Sequence, residues 1–200
     1  MNSLSVTGKN WMLKTYSEEN SLYLKENFSL DEITSKLLDI RQIRREEVKN
    51  FLNPLIKNNL PNPNALKDMD KTVQRVIKVI NNKEKIGIFG DYDVDGATAS
   101  ALLGKYFEEI NQSYKIYIPD RTKEGYGPSE KGFKSLINSN VEIIFTVDCG
   151  TLSFGPINFA KTKNIDVIVF DHHQSEVKLP NAFSIINPNR IDDNSKLNYL

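Results

Sequence analysis

From residue 68 onward, apolar residues follow a repeating order of strand-like and helix-like segments. Apolar positions at spacings of three and four predict a first helix, namely Met69, Val73, Val76, Ile77 and Ile80. Runs rich in Ile, Val, Phe and Tyr then predict strands with helices between them: strand 85–90, helix 97–110, strand 114–119, helix 129–138, strand 141–147, helix 155–162, strand 166–170 and a short apolar run at 183–186. This alternation predicts an α/β fold with a mostly parallel β-sheet and helices on both faces.

The first 67 residues have a more polar pattern. The stretch 29–32 has the spacing of a capping box, with Ser29 as the predicted cap, and apolar residues follow it. A second short helix is expected over 44–52, before a loop rich in proline and asparagine. We therefore predict a small helical segment at 1–67 and an α/β domain at 68–200.

The charge of the chain is balanced, with 26 basic and 26 acidic residues, so no global field draws it to nucleic acid or to a membrane. Any polyanion site must therefore be a local basic groove. The single cysteine, Cys149, excludes a disulfide framework and is typical of a reducing compartment. The polar start does not have the pattern of a signal peptide, and no apolar stretch has the length of a membrane helix. We expect a cytoplasmic protein with no membrane partner.

Four hydrophobic runs end in an aspartate, and this is the most informative feature of the sequence. The four residues are Asp91, Asp120, Asp148 and Asp171. In sheets of this kind, ligands bind outside the carboxyl ends of the strands. The sequence therefore predicts acidic side chains along one rim of the sheet, which favours a metal site.

The first of these strand ends carries three carboxylates at alternate positions, Asp91, Asp93 and Asp95. Such carboxylates repel one another unless a cation neutralises them, and their oxygen atoms suit Mg²⁺ or Mn²⁺. We expect Gly96 to let the backbone turn sharply into the next helix. The N-terminus of that helix favours a phosphate group nearby.

Three other interpretations of this segment stay open. An EF-hand loop begins with the same pattern, but it requires a glutamate where this chain has Leu102, and a helix where a strand is predicted. A phosphatase of the haloacid dehalogenase type also places such a motif after a strand, but it usually continues with Thr or Val where this chain has Ala97. A solvated acidic turn without any site is the third.

The last strand end, Asp171-His172-His173, contains both histidines of the chain. A lone histidine is more often structural than a ligand, but two adjacent ones at an acidic rim favour a metal site. Neutral imidazole is a good ligand for Mn²⁺, and a second histidine can bind or protonate a phosphate oxygen. Asp148 is placed to bridge two ions, although a plain polar strand end explains it equally well. Two ions would support metal-dependent phosphoryl hydrolysis.

A loop that follows the second strand is the predicted substrate loop. It contains Arg121, Lys123, Gly125, Tyr126 and Gly127. Its two glycines predict a flexible backbone that a phosphate can approach, and its two basic residues can hold substrate phosphates. We expect Asp120 to position this loop rather than to bind metal. An ordinary surface loop is the alternative.

These motifs together resemble the RecJ-type single-stranded-DNA exonucleases of the DHH phosphoesterase superfamily. Each motif is weak alone, but the combination is specific and extends over nearly the whole chain. The resemblance is carried by GDYDVDG at 90–96, IPDRTKEGYG at 118–127, VDCG at 147–150, FDHH at 170–173, NPN at 187–189 and, before them, Trp11, FLNP at 51–54 and LKDM at 66–69.

The resemblance implies a DHH domain that uses two Mn²⁺ or Mg²⁺ ions to degrade single-stranded DNA to mononucleotides, 5′ to 3′, in recombination and repair. The implied metal ligands are Asp91, Asp93, Asp95, Asp148 and His172. Asp148 is also implied to be catalytic, and His173 to contact the scissile phosphate as an acid or electrostatic stabiliser. Single-stranded DNA is the implied partner, together with other recombination or repair proteins.

Members of the RecJ type are much longer than 200 residues, and the family adds a further aspartate and further domains after the NPN segment. We therefore expect this chain to be either a fragment of a longer protein or a stand-alone relative. We expect it to bind Mn²⁺ with weak or no activity of its own. The alternative functions are a non-catalytic module that binds metal, nucleic acid or protein, and a hydrolase of short oligonucleotides or cyclic dinucleotides.

Overall fold

The computed structural model describes residues 5–10 and 12–198. Trp11, to which the resemblance extends, lies outside them. The chain divides into two compact units, Met1–Leu60 and Pro61–Leu200. The assignment of 1–67 and 68–200 to separate domains stays a prediction. Among the helices of the described residues, none is long and apolar enough to cross a membrane.

The first unit is helical in the part that the structure describes. Its helices are α1 (Glu18–Phe28), α2 (Glu32–Ile40), α3 (Val48–Leu52) and α4 (Ile56–Asn59). A small core forms where three buried side chains from the first three helices meet, Leu24, Leu38 and Val48. Most other apolar side chains of this unit are exposed, so its core is much smaller than that of the second unit.

Two predictions about this unit were wrong. Ser29 does not cap α2, because α1 continues to Phe28 and Ser29 ends it in the left-handed conformation, with φ 53°. Asp31 is the cap of α2 and accepts hydrogen bonds from the backbone N–H groups of Ile33 and Thr34 at 2.8 and 2.9 Å. The next helix begins at Val48 rather than at residue 44, because residues 44–47 close a separate turn before it.

The second unit is the predicted α/β fold. After a 3₁₀ turn at Pro63–Ala65, its elements in chain order are α5 (Met69–Asn82), β1 (Ile86–Gly90), α6 (Val94–Glu109), β2 (Tyr114–Tyr117), α7 (Arg121–Glu124), α8 (Glu130–Ile137), β3 (Ile143–Val147), α9 (Phe154–Thr162), β4 (Asp166–Phe170) and β5 (Ser184–Ile186). The five strands are all parallel, in the order β2-β1-β3-β4-β5. The fold class predicted from the sequence is confirmed. The short α7 was not expected, α6 begins at Val94 rather than at residue 97, and β2 ends at Tyr117 rather than at residue 119.

The sheet is covered on both faces, as its buried central strands require. One face packs against α8 and α9 around Phe133, Leu136 and Ile157. The other packs against α5 and α6 around Val79 and Phe107. Both faces are therefore occupied by helices, and the carboxyl ends of the strands remain as the place for a site.

Candidate metal centre

The strand register places three of the four strand-end aspartates side by side. Gly90 of β1 is aligned with Val147 of β3, and Val147 is aligned with Phe170 of β4. The next residue of each strand is an aspartate, so Asp91, Asp148 and Asp171 form one row along the rim. Parallel pairing alone therefore produces the acidic rim that the sequence predicts.

Asp91 is buried and lacks a hydrogen-bond partner for Oδ1 among the described residues. Its backbone lies against the first turn of α6. A Cβ at Gly96 would come within 2.6 Å of the backbone N and O of Asp91, so only glycine fits at that position. Gly96 lies inside the helix, which means that close packing, rather than the sharp turn we expected, explains this glycine.

Asp93 caps α6, and its carboxylate accepts a hydrogen bond from the backbone N–H of Gly96 at 3.0 Å. This bond holds the pKa of Asp93 below its ordinary value. Asp95 lies in the first turn of the same helix and is exposed. It does not belong to either group of close potential ligands in the described residues, so its role as a ligand stays a prediction.

Asp148 occupies the centre of the rim in a left-handed backbone conformation, with φ 60°. Such a conformation is uncommon for residues other than glycine and often occurs at functional sites. Burial and the nearby charge of Asp93 raise the pKa of Asp148 to about 6. His172 lies on its other side, with Nε2 3.1 Å from Asp148 Oδ1.

Two groups of potential metal ligands share Asp148. One consists of Asp91, Asp93 and Asp148, and the other of Asp148, His172 and His173; within each group, one ligand atom per residue lies within 4.8 Å of the others. Carboxylates suit Mg²⁺ or Mn²⁺, and imidazole suits Mn²⁺ better than Mg²⁺. The unpartnered oxygen of Asp91 and the repulsion between Asp93 and Asp148 both fit a divalent cation. The residues at the rim therefore fit the predicted cofactor.

Asp171 belongs to neither group of potential metal ligands; instead, it holds the two histidines in place. Its Oδ1 accepts hydrogen bonds from His172 N, His173 N and His173 Nδ1 at 2.8, 3.1 and 2.7 Å, and its Oδ2 accepts one from Thr151 N at 2.9 Å. Although burial opposes ionisation, hydrogen bonds from Thr151 and His173 hold the pKa of Asp171 below its ordinary value. The carboxylate therefore stays charged and sets the orientation of the His173 ring.

The His173 ring lies between Asp171 and the predicted substrate loop. Burial disfavours its charged form, but the hydrogen bond to Asp171 and the charges of Asp148 and Asp91 raise the pKa of His173 above its ordinary value. With Nδ1 bonded to Asp171, Nε2 faces the Tyr126 hydroxyl at 3.0 Å. Burial, together with nearby carboxylates, raises the pKa of Tyr126, so its hydroxyl keeps its proton, and its oxygen can accept a hydrogen bond from Nε2 of the protonated ring.

The predicted substrate loop reaches the rim through Tyr126. Asp120 caps the short α7 by accepting from Thr122 N at 2.9 Å, as a positioning residue would. The Arg121 guanidinium lies 5.1 Å from the centre of the Tyr92 ring, and this ring meets the Tyr126 ring edge to face at 6.4 Å. The aromatic residues near the rim are thus closer together than their sequence positions suggest.

The two glycines that flank Tyr126 have free space next to their backbone. Gly125 and Gly127 have φ values of 77° and 75°, and a Cβ at either position would meet no atom within 4 Å. A cavity of about 530 Å³ lies between this loop and the rim, lined among others by Tyr126, Gly127, Thr151 and His173. The loop therefore has both the backbone freedom and the adjoining space that a substrate would need.

Sequence reasoning missed the residues that support the histidines. Asn187 follows β5 and donates from Nδ2 to Thr151 Oγ1 at 2.8 Å and to the backbone carbonyl of His173 at 2.9 Å. Asn189 donates to the backbone carbonyl of His172. The sequence does signal these residues, because the NPN segment follows an apolar run. That segment entered the sequence analysis only as one motif of the resemblance.

Comparison with known proteins identifies the class to which the fold and rim belong. The model of the DHH family, N-terminal domain, matches residues 85–198, and the chain belongs to this family. The predicted family is therefore confirmed.

Its relatives include the single-stranded-DNA-specific exonuclease RecJ. The protein of that name from Bacillus subtilis is 30% identical over 178 residues, which are 89% of this chain and 23% of that protein. The one from Haemophilus influenzae is 38% identical over 129 residues, or 64% of this chain and 22% of that protein. The chain therefore spans about a quarter of the length of these relatives.

Solved structures agree with this assignment. A structure of exonuclease RecJ bound to manganese aligns with a TM-score of 0.59 and 26% identity, covering 64% of this chain and 33% of that one. A structure of RecJ from Thermus thermophilus in complex with Mn²⁺ aligns over 91% of this chain and 25% of that one, with a TM-score of 0.67 and 20% identity. The second shows the shared fold alone.

Proposed function

We propose that this chain is the DHH part of a metal-dependent phosphodiesterase that degrades single-stranded DNA to mononucleotides, 5′ to 3′, in recombination and repair. The observation that carries the proposal is the position of Asp148, which is shared by two groups of potential metal ligands, one of which reaches an open cavity through His173. The names of its RecJ relatives supply single-stranded DNA as the substrate, and the manganese in their structures supplies the cofactor.

Asp91, Asp93, Asp148 and His172 would hold two Mn²⁺ or Mg²⁺ ions, and Asp95 remains a further candidate ligand. Bound ions of this kind lower the pKa of water and neutralise charge on the phosphate. Asp148 would contribute to both ions, which gives it the catalytic role that we predict. The raised pKa of Asp148 fits this role, since a second cation relieves the repulsion from Asp93.

His173 would hold a proton towards the scissile phosphate. Asp171 accepts from its Nδ1, which leaves Nε2 directed at the loop side of the rim. The raised pKa of His173 favours the protonated ring, and a protonated ring stabilises charge on a phosphate oxygen. In this proposal the phosphate displaces the Tyr126 hydroxyl from Nε2.

The predicted substrate loop would hold the rest of the strand. The Arg121 side chain would pair with a phosphate, and the open backbone at Gly125 and Gly127 would let Tyr126 move aside. The preference for a single strand over a duplex rests on the names of the RecJ relatives. A cytoplasmic location and further partners in recombination or repair stay predictions.

The experiment is Mn²⁺-dependent cleavage of a 5′-phosphorylated single strand by the 200-residue chain, with Asp148→Ala and a matched duplex beside it. We expect slow release of mononucleotides that stops with chelator and in Asp148→Ala, and no cleavage of the duplex. Asp120→Ala, at an aspartate outside both the rim and the ligand groups, is the control for metal binding and should keep the Mn²⁺ affinity of the wild type, measured by calorimetry.

Cleavage that persists in Asp148→Ala would contradict the proposed site. Preferred hydrolysis of dinucleotides or cyclic dinucleotides over long strands would replace the proposed substrate by the short-oligonucleotide alternative. Mn²⁺ binding without any Asp148-dependent cleavage would replace the enzymatic assignment of this chain by a binding module.

A further inference from the structure

The residue after β5 lies in the same rim as the aspartates. Phe170 of β4 is aligned with Ile186 of β5, so Asn187 follows its strand just as Asp171 follows the neighbouring one. Asn187 is fully buried, with 0% of its surface exposed. A buried amide at the end of the row requires partners, and it finds them in the histidine segment.

All hydrogen-bonding groups of the Asn187 side chain are used. Nδ2 donates to Thr151 Oγ1 and to the carbonyl of His173, and Oδ1 accepts from Asn189 N at 2.7 Å. A carboxylate cannot make the two donations, and an apolar residue cannot make any. Asparagine is therefore the residue type that this position requires.

We propose that the 187–190 turn is a positioning element for the two histidines, with Asn187 holding His173 and Asn189 holding His172 through their backbone carbonyls. The catalytic consequence rests on the proposed function, whereas the effect on metal binding can be tested without it. Residues 172 and 173 lie beyond the end of β4, where the strand pairing no longer fixes them. Hydrogen bonds from the two asparagine side chains hold these residues where strand pairing does not.

Arg190 holds the turn itself in place. The Arg190 N–H donates to Asn187 O at 3.2 Å and closes the turn. Its guanidinium is nearly buried and donates to Asp68 at 2.7 Å, to the carbonyl of Ile185, and to both carboxylate oxygens of Asp192 at 2.9 and 3.0 Å. The turn is thus tied to the strand before it and to the start of α5.

The chain of contacts ends at Asp171 and the two histidines, of which His172 is a predicted metal ligand. Thr151, the first partner of Asn187, also donates its backbone N–H to Asp171, which orients the His173 ring. Loss of the Asn187 amide would therefore release His173 at its carbonyl and weaken the support of Asp171. It would also free the Asn189 N–H that Asn187 Oδ1 accepts, and so weaken the hold of Asn189 on the predicted ligand His172. Outer partners of metal ligands affect metal affinity by about 10- to 100-fold when they are removed.

The test compares Asn187→Ala, Asn189→Ala and Ile185→Val in the whole 200-residue chain. Mn²⁺ affinity is measured by calorimetry, and the ring nitrogens of the histidines by ¹⁵N NMR without metal. Because the chain has only two histidines, each ring can be assigned and followed. Ile185 is a buried residue of the preceding strand, β5, and its side chain lies in the core, so Ile185→Val controls for lost stability alone.

We expect Asn187→Ala to lower Mn²⁺ affinity about tenfold or more and to shift the ring nitrogens of His173. Asn189→Ala should shift mainly the ring nitrogens of His172 and lower Mn²⁺ affinity less than Asn187→Ala does. It removes one side-chain hydrogen bond, whereas Asn187→Ala removes three. Ile185→Val should lower the melting temperature and leave affinity and ring signals unchanged.

Equal losses of affinity in Asn187→Ala and Ile185→Val would overturn the proposal, because they would trace the effect to stability. Unchanged affinity and ring signals in both asparagine variants would also overturn it. If Asn187→Ala does not fold, the partly exposed Asn189 decides: a shifted His172 signal with weaker Mn²⁺ binding supports the proposal, and unchanged values refute it. Failure of nuclease activity with intact Mn²⁺ binding would count against the proposed function only.

Discussion

Asp91 and Asp171 occupy equivalent positions at the ends of β1 and β4, but their surroundings are opposite. Both carboxylates are buried. Asp171 accepts from four N–H groups, whereas Oδ1 of Asp91 has no partner among the described residues. A buried carboxylate is tolerated when donors or a cation compensate it. The protein supplies donors to the carboxylate at β4 but none to Oδ1 at β1, so one rim contains a positioning carboxylate and a carboxylate that we propose as a metal ligand.

The largest expected effect is at the β1 end, where Gly96 lets α6 lie against the backbone of Asp91. Gly96→Ala places a Cβ within 2.6 Å of backbone atoms that cannot give way easily. We expect a loss of about 3 kcal/mol in the free energy of unfolding, measured by urea denaturation, together with loss of Mn²⁺ binding.

Gly155→Ala is the matched control, since it lies in α9 with no atom within 4 Å of a Cβ. It should leave stability unchanged or raise it by about 0.5–1 kcal/mol, because alanine favours helix more than glycine does. Equal stability of Gly96→Ala and wild type would show that the close packing at Asp91 does not hold this end of the rim.

The same substitution, Asp to Asn, should have different effects on stability at Asp171 and at Asp91. Asp171→Asn removes the charge that four N–H groups share, and hydrogen bonds to charged groups are worth about 1.5–3 kcal/mol. We expect a loss of about 2 kcal/mol in unfolding free energy at neutral pH. Since the pKa of Asp171 is held low, this contribution is present at neutral pH and is lost as the pH falls through that lowered pKa.

In chelator, Asp91→Asn should not lower the stability of the protein as Asp171→Asn does, because it removes a buried charge that lacks a donor on Oδ1. The metal-free variant should unfold at the same temperature as wild type or higher, while Mn²⁺ stabilises it less. Urea and thermal unfolding with and without Mn²⁺ measure both effects. Destabilisation of equal size at both positions would refute the distinction between them.

The sequence was sufficient to predict the rim because its signals are local. A hydrophobic run that stops at an aspartate reports both the strand and the residue at its end, and parallel pairing aligns the ends. It was not sufficient to separate Asp91 from Asp171, since the decisive donor to Asp171 comes from Thr151, which lies in a different loop. Ser29 was assigned to the wrong helix end for a related reason, because two helices are separated there by only a few residues.

The smallest effect concerns Asp148, which lies between the two ends. Its folded-state pKa is raised to about 6 from 3.8, so it stabilises the metal-free protein at low pH and this stabilisation is lost as the pH rises through about 6.

Asp148→Asn removes that dependence, and asparagine tolerates the left-handed backbone at this position. We expect the variant to melt higher than wild type at about pH 8 in chelator, by the equivalent of about 1 kcal/mol or less, because solvent screens the charge of this partly exposed carboxylate and reduces the effect of its pKa shift. The advantage should vanish near pH 4, and Mn²⁺ should raise the melting temperature of the wild type alone. A wild type that melts higher than Asp148→Asn in chelator at every pH would mean that Asp148 is stabilised by the protein, as Asp171 is, and does not depend on a cation.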